Sequence, residues 1–230
     1  VTLTEYEVEQ GTEEWLEARR GIVTASVIGQ LITPSTLKPA NNDKTRALIA
    51  QLAAERITGR TDPVFVNDDM ARGTLHEPIA RDKYAAVFGV EVAQVGFLVR
   101  EFSGGVQLGA SPDGLVGDDG GIEIKCPRAK THIQTIVTGE VPAYNMAQVQ
   151  AFLVVTSRDW CDFVSFHSGL PLFTKRVLPD EKWRNTIITA ATNAEHAIGA
   201  IVARFNEAAA DLPATDYIPD YDDTVELKLA

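Results

Sequence analysis

The sequence predicts an α/β protein, a central mixed β-sheet flanked by α-helices. Three observations predict it. Residues 109–127 alternate apolar and polar side chains about a Gly/Asp-rich centre, Gly117-Asp118-Asp119-Gly120-Gly121, and read as two antiparallel strands joined by a turn. Further strand-like runs lie before this hairpin, at 90–110, and after it, at 160–177. Long helix-patterned segments separate the runs, and strands interleaved with helices make a sheet with helices packed on its faces.

Taken in order, residues 2–8 form a short strand or an extended arm. Thr12 is an N-cap, and Glu13 and Glu14 suit the positive end of the helix it opens. Trp15, Leu16 and Ala18 give that helix an apolar side, and Arg19, Arg20 and Gly21 end it. Ile22–Ser26 then leads into a helical run reaching Leu31 and Ile32, which puts Thr24 or Ser26 near a helix N-terminus, where free N–H groups attract anions. An arginine pair ahead of such a start suits a phosphate. On local grounds a basic helix end beside an ordinary cap reads at least as well. Residues 33–43 are a loop. Helices follow at 44–57, with Leu48, Ile49, Leu52 and Ala53 inward, and at 68–87. In the second, Pro78 demands a distortion or a restart, displacing His76 and Glu77 toward a cleft. His76 is a candidate metal ligand there, although a lone histidine is more often a surface or core residue. Residues 90–100 read as a strand, and 105–110 lead into the hairpin. Helices are expected at 128–138, carrying Arg128, Lys130 and His132, and at 142–155, where Tyr144 and Gln148 share a face. Residues 160–167 and 170–177 read as a hairpin turning at Ser168-Gly169, and 179–210 as a long helix. Residues 1–210 are read as a single domain and 211–230 as an acidic C-terminal arm.

The net charge of −11 argues against a protein coated in basic residues for nucleic acid. It does not exclude a DNA-binding cleft, where local potential governs. Cys126 and Cys161 are too few for a disulfide framework or a cysteine metal cluster and fit a reducing cytoplasm. No apolar run is long enough to span a membrane, and no signal-peptide pattern opens the chain. The first residue is Val1, an initiator Met being removed or left out.

The hairpin carries the chemistry. Glu123 and Lys125 are two apart and share one face. Folding back about the turn sets Asp113 level with Ile124, diagonal to Glu123. Two carboxylates about 4 Å apart repel by roughly 4 kcal/mol at an effective dielectric of about 20. A bound Mg²⁺ relieves this, taking carboxylate, carbonyl and water oxygens, so the Ile124 carbonyl is a third protein ligand beside Asp113 and Glu123. Lys125 is placed to hold a water or a phosphate oxygen. The set suits metal-assisted hydrolysis of a phosphodiester.

Pro112-Asp113 followed by Glu123-Ile124-Lys125 resembles the PD-(D/E)xK nuclease superfamily. Four blocks together resemble the YqaJ-type viral recombinases, the family of the phage lambda exonuclease. They are Trp15 with Arg19, Gly21, Thr24, Ala25 and Ser26; Gly73 with Glu77; Ser111-Pro112-Asp113-Gly114 with Glu123-Ile124-Lys125-Cys126-Pro127; and Tyr144 with Met146-Ala147-Gln148-Val149-Gln150. The resemblance covers residues 12–150 and implies a PD-(D/E)xK nuclease-like core and a processive 5′→3′ exonuclease on duplex DNA ends. It implies Mg²⁺, one or two ions with Mn²⁺ able to substitute, on Asp113, Glu123 and the Ile124 carbonyl. Lys125 then assists the water, Glu77 and Gln148 complete the site, and Arg19, Ser26 and Ser111 bind the 5′-phosphate. Tyr144 and Lys130 are further DNA contacts. Thr131 stands where the family places a basic residue, with Lys130 and His132 beside it, which puts that phosphate contact in question.

The resemblance also implies a homotrimeric ring around the duplex, a single-strand annealing protein as partner, and a phage or prophage origin in a bacterial cytoplasm. Lys38, Lys44, Arg46, Arg128 and Lys130 are the channel candidates. Two rivals remain: a structure-selective or single-strand nuclease of the same fold, and a non-catalytic DNA-end binding module or scaffold. The intact Asp113, Glu123 and Lys125 count against the last.

Overall fold

The structure, a computed structural model, describes residues 2–61 and 67–218. Its centre is the helix α5 (Ala143–Thr156), in which Asn145, Ala147 and Val149 to Val155 are all buried. A helix apolar all round is one covered on every side. One side of α5, with Ala147, Ala151 and Val155, packs into a core shared with α2 (Asp43–Thr58) and α6 (Glu181–Ala209). The other, with Val149, Phe152 and Leu153, packs on Cys161 and Phe163.

The mixed sheet is divided in two around this helix. One sheet runs in the order β1 (Thr2–Tyr6), β5 (Phe97–Glu101), β6 (Gln107–Ala110), β2 (Val23–Thr24), with β2 parallel to β6. The other runs β10 (Phe173–Val177), β9 (Trp160–Ser165), β8 (Gly120–Lys125), β7 (Gly114–Val116), with β8 parallel to β9. A small hairpin, β3 (Ile32–Thr33) with β4 (Lys38–Pro39), stands apart. In the second sheet Ile122 and Ile124 face Ala80 and Tyr84 of α3 (Asp68–Phe88). Alternation along β8 therefore turns Glu123 and Lys125 to the α5 side.

The helices form where their patterns place them. Side-chain caps hold the starts of α1 (Glu13–Arg19), α2 and α3: Thr12, Asn42 and Asn67 each accept backbone N–H groups of the first turn. α3 continues through Pro78, and α4 (Ala129–Thr138) ends on Gly139 in the left-handed region. The strand pattern is less faithful. The expected strand at 90–100 survives only as β5, preceded by one bridge between Ala93 and Leu115. The helical run after Ser26 is a single 3-10 turn, Ile28–Leu31, because burying Ile28 and Leu31 needs only an i, i+3 repeat. The loop at 33–43 includes β4. The second hairpin turns through 166–172 rather than tightly at Ser168-Gly169. Among the described residues no helix is long and apolar enough to cross a membrane. Most of the acidic arm, from 219 on, and residues 62–66 between α2 and α3 lie outside the described residues.

Candidate active site

Antiparallel pairing of Gly114 with Ile122 sets the register of the motif hairpin. Continued by one residue, it places Asp113 opposite Glu123, not level with Ile124 as the sequence suggested. The loop between the strands is the three residues 117–119, whereas the sequence reading placed the turn over the five residues 117–121. Asp113 lies just before the start of β7, and its carboxylate accepts the Ile124 N–H at 2.6 Å. Backbone groups of one strand residue point to one edge. The Lys125 carbonyl accepts the Phe166 N–H on the β9 side, so the Ile124 carbonyl turns the other way, toward Asp113.

Glu123 is only 2% exposed, and its Oε1 lies 2.6 Å from Lys125 Nζ. That ion pair is the one polar contact found for Glu123 Oε1 among the described residues. A buried carboxylate oxygen short of hydrogen bonds is costly unless something else satisfies it. Burial raises the Glu123 carboxyl to about 7, the Lys125 charge opposing and the Asp113 charge adding. Burial also raises Asp113, with Lys125 opposing. For Lys125 burial works downward, but the carboxylates of Glu123, Asp113 and Glu77 outweigh it and hold the ammonium charged. A hard divalent cation would add to the single Lys125 contact of this oxygen and lower both carboxyls. The donor set of two carboxylates and a carbonyl fits such an ion, which keeps several waters. Among the described residues no three His, Cys, Asp or Glu side chains converge on a single metal position.

Glu77 is raised by burial and by Asp113, and its carboxylate accepts from Arg81 at 2.5 Å. The same guanidinium donates to the Asp113 carbonyl at 2.6 Å. Arg81 is a residue the sequence reading missed. Its only local signal is the i, i+4 spacing from Glu77, since Asp113 is distant in the chain.

A cavity of about 760 Å³ joins these groups to a second cluster. Arg19 Nη1 donates to Ser111 Oγ at 3.1 Å, and Arg19 Nη2 to Ser26 Oγ at 3.4 Å. Trp15 Nε1 donates to Ser111 at 2.9 Å, and the Arg19 guanidinium lies 3.9 Å over the Trp15 ring. Burial lowers Arg19 to about 10, the Glu55 charge partly offsetting it. Phe97 lies below the guanidinium, and a side chain at Gly109 would strike its ring at 2.3 Å. The turn after Arg19 is braced from both sides. Glu55 accepts the Gly21 N–H at 2.7 Å, and Arg56 donates to the Gly21 carbonyl at 2.8 Å. Arg56 also forms two 2.6 Å bonds with Glu195 of α6. Gly21 has φ +68° and no room for a Cβ against Arg56.

The cavity thus gathers Asp113, Ile124, Lys125, Glu77, Gln148, Arg19, Ser26, Ser111 and Tyr144. Glu123 instead lines a small hollow of about 30 Å³, which shares Arg19, Ser26, Ser111 and Gln148 with the cavity. Lys130 is not brought in: it is exposed on α4, while its neighbour Thr131 lines the cavity. His132 is fully buried and bonds Ser165 and the Pro171 carbonyl, so it is part of the core. His76 meets Phe166 edge-on and does not line the cavity. Of the channel candidates, Arg128 lines the cavity rim and pairs with Asp69, while Arg46 pairs with Asp43.

Known proteins share this arrangement of elements. An alkaline exonuclease from Laribacter hongkongensis, LHK-Exo, is 37% identical with a TM-score of 0.78, over 88% of this chain and 100% of that one. The same enzyme has been solved in complex with dAMP. A phage-related exonuclease from Haemophilus somnus 129PT has a TM-score of 0.63 at 13% identity, over 80% of this chain and 96% of that one, a likeness of fold alone. Uncharacterized protein R354 of Acanthamoeba polyphaga mimivirus is 30% identical over 169 residues, 68% of this chain. The chain spans only 29% of that protein's length. Residues 14–159, which hold the Arg19–Ser26–Ser111 cluster and the motif hairpin, match the YqaJ-like viral recombinase domain, and the chain belongs to that family.

Proposed function

We propose that the chain is a divalent-metal-dependent exonuclease that removes nucleotides 5′→3′ from one strand at a duplex DNA end, leaving a 3′ single-strand overhang. The observation that carries this reading is the cavity joining the Arg19–Ser26–Ser111 cluster to Asp113 and Lys125, with Glu123 lining a small hollow that shares Arg19, Ser26 and Ser111. Only Pro112 separates Ser111 from Asp113. An anchored terminal phosphate fixes which phosphodiester lies over the hydrolytic groups, and so favours cutting from an end. Family membership and the likeness to an alkaline exonuclease support it. The dAMP held by LHK-Exo has the form of a mononucleotide product.

Asp113, Glu123 and the Ile124 carbonyl would hold Mg²⁺, as one or two ions, with Mn²⁺ able to substitute. Bound there, the ion would supply an activated water and neutralise charge developing on the phosphate. The residues do the rest. Arg19 and Ser111 grip the 5′-phosphate. Lys125, held charged, donates to a water or a non-bridging oxygen. Gln148 adds a polar contact beside it, and Arg81 holds Glu77 and the Asp113 backbone in place. Tyr144, 67% exposed at the cavity, is positioned to meet the DNA. The working assembly on this reading is a homotrimer acting beside a single-strand annealing protein, with residues 1–210 as the nuclease domain.

Linear duplex labelled separately at each end, with and without Mg²⁺, tests the reading. Loss of label from the 5′ ends only, and only with Mg²⁺, is the expected result. Asp113→Ala, Glu123→Ala and Lys125→Ala should each lower cleavage by about a thousandfold or more while duplex binding persists. Near-normal cleavage by any of the three would overturn the site.

A further inference from the structure

Two N–H donors converge on one hydroxyl in the phosphate cluster. Trp15 Nε1 reaches Ser111 Oγ at 2.9 Å, and Arg19 Nη1 reaches the same atom at 3.1 Å. An indole N–H and a guanidinium N–H can only donate, and a serine oxygen has two lone pairs. Both lone pairs are therefore engaged, and the hydroxyl hydrogen must point elsewhere. Ser111 faces the cavity. What it offers an incoming group is thus a donor and no acceptor. Arg19, stacked on the Trp15 ring, likewise offers only donors.

We infer that Trp15 is a positioning residue that makes this subsite discriminate a terminal phosphate from a terminal hydroxyl, by holding Ser111 as a one-way donor. The inference rests on reading the cluster as the 5′-phosphate subsite. A phosphate oxygen only accepts, so it matches both partners. A 5′-hydroxyl both donates and accepts, and neither Ser111 nor Arg19 can accept its proton. Replacing Trp15 by Phe keeps a ring under the guanidinium but removes the N–H. One lone pair of Ser111 is then free, the hydroxyl can rotate, and a phosphate oxygen meets a lone pair instead of a proton for part of the time.

The test compares kcat/KM on duplexes ending in a 5′-phosphate and a 5′-hydroxyl. It uses the wild type, Trp15→Phe, Ser111→Ala and the double variant, each with its melting curve. Trp15→Phe should lower the phosphate-to-hydroxyl ratio about five- to tenfold, the loss of one charge-assisted hydrogen bond. In the Ser111→Ala background the same change should have no further effect on the ratio, because Trp15 acts through that hydroxyl. Trp15→His, which keeps a ring N–H, should recover part of the ratio. Equal losses on both ends, an unchanged ratio, or full additivity with Ser111→Ala would overturn the inference. Should Trp15→Phe fold poorly, Ser111→Cys, a weak donor of similar shape, should give the same fall in ratio; an unchanged ratio there would equally overturn it. A wild type indifferent to the 5′-phosphate would overturn the subsite itself, and this inference with it. A selective wild type with an unaltered Trp15→Phe overturns the Trp15 role alone.

Discussion

Without a cation, the Glu123 carboxyl is poised near neutrality, burial having raised it from 4.5 to about 7. A folded value above the ordinary one means that folding favours the protonated form. The stability this contributes is complete below pH ~4.5 and is lost as pH rises through about 7. Glu123→Gln imitates the protonated form at every pH. In chelator it should therefore match the wild type near pH 4.5 and exceed its stability at pH 8 by on the order of 1–3 kcal/mol. Urea denaturation at the two pH values checks this, and equal stabilities at pH 8 would show that Glu123 carries no such strain. At this scale much was legible in the sequence. Asp113, Glu123 and Lys125 are close along one hairpin, so local pattern brings them together. Arg81 and the Trp15 N–H were not legible as site groups. Their partners, Asp113 and Ser111, are reached only through the tertiary fold.

Among the elements, Arg81 of α3 ties Glu77 to the backbone of the motif hairpin. Arg81 is 11% exposed and satisfies both Glu77 and the Asp113 carbonyl. Arg81→Met leaves a carboxylate and a carbonyl without their donor and should cost about 2–4 kcal/mol. The double variant with Glu77→Gln should lose less than the sum of the two single changes, and a double-mutant cycle in urea measures the difference. Helices were read well from sequence because their caps and apolar stripes are local. The strands were read less well. The segment at 90–96 has the composition of a strand, but whether it pairs depends on what lies beside it, and only Ala93 finds a partner. Nor could pattern reveal that the sheet splits around α5. That helix reads as merely apolar until both sheets are seen to cover it.

For the whole molecule, charge is the constraint. With 21 Lys and Arg against 32 Asp and Glu, one copy is poorly suited to hold a polyanion unless its basic groups are focused. The proposed trimer does this by turning them inward around a closed ring. Light scattering should then give three times the 25.0 kDa chain mass, and excess competitor DNA should not interrupt digestion already begun. A monomer that stays on its substrate through such a chase would refute the ring. The brace at Gly21 reaches just as far across the molecule. The family match ends at residue 159, yet the turn behind Arg19 is held by Arg56, and Arg56 by Glu195 of α6. The C-terminal helix lines none of the catalytic cavity. Beyond the core face that packs on α5 and α2, it nevertheless carries one further constraint: a carboxylate must stay level with Arg56.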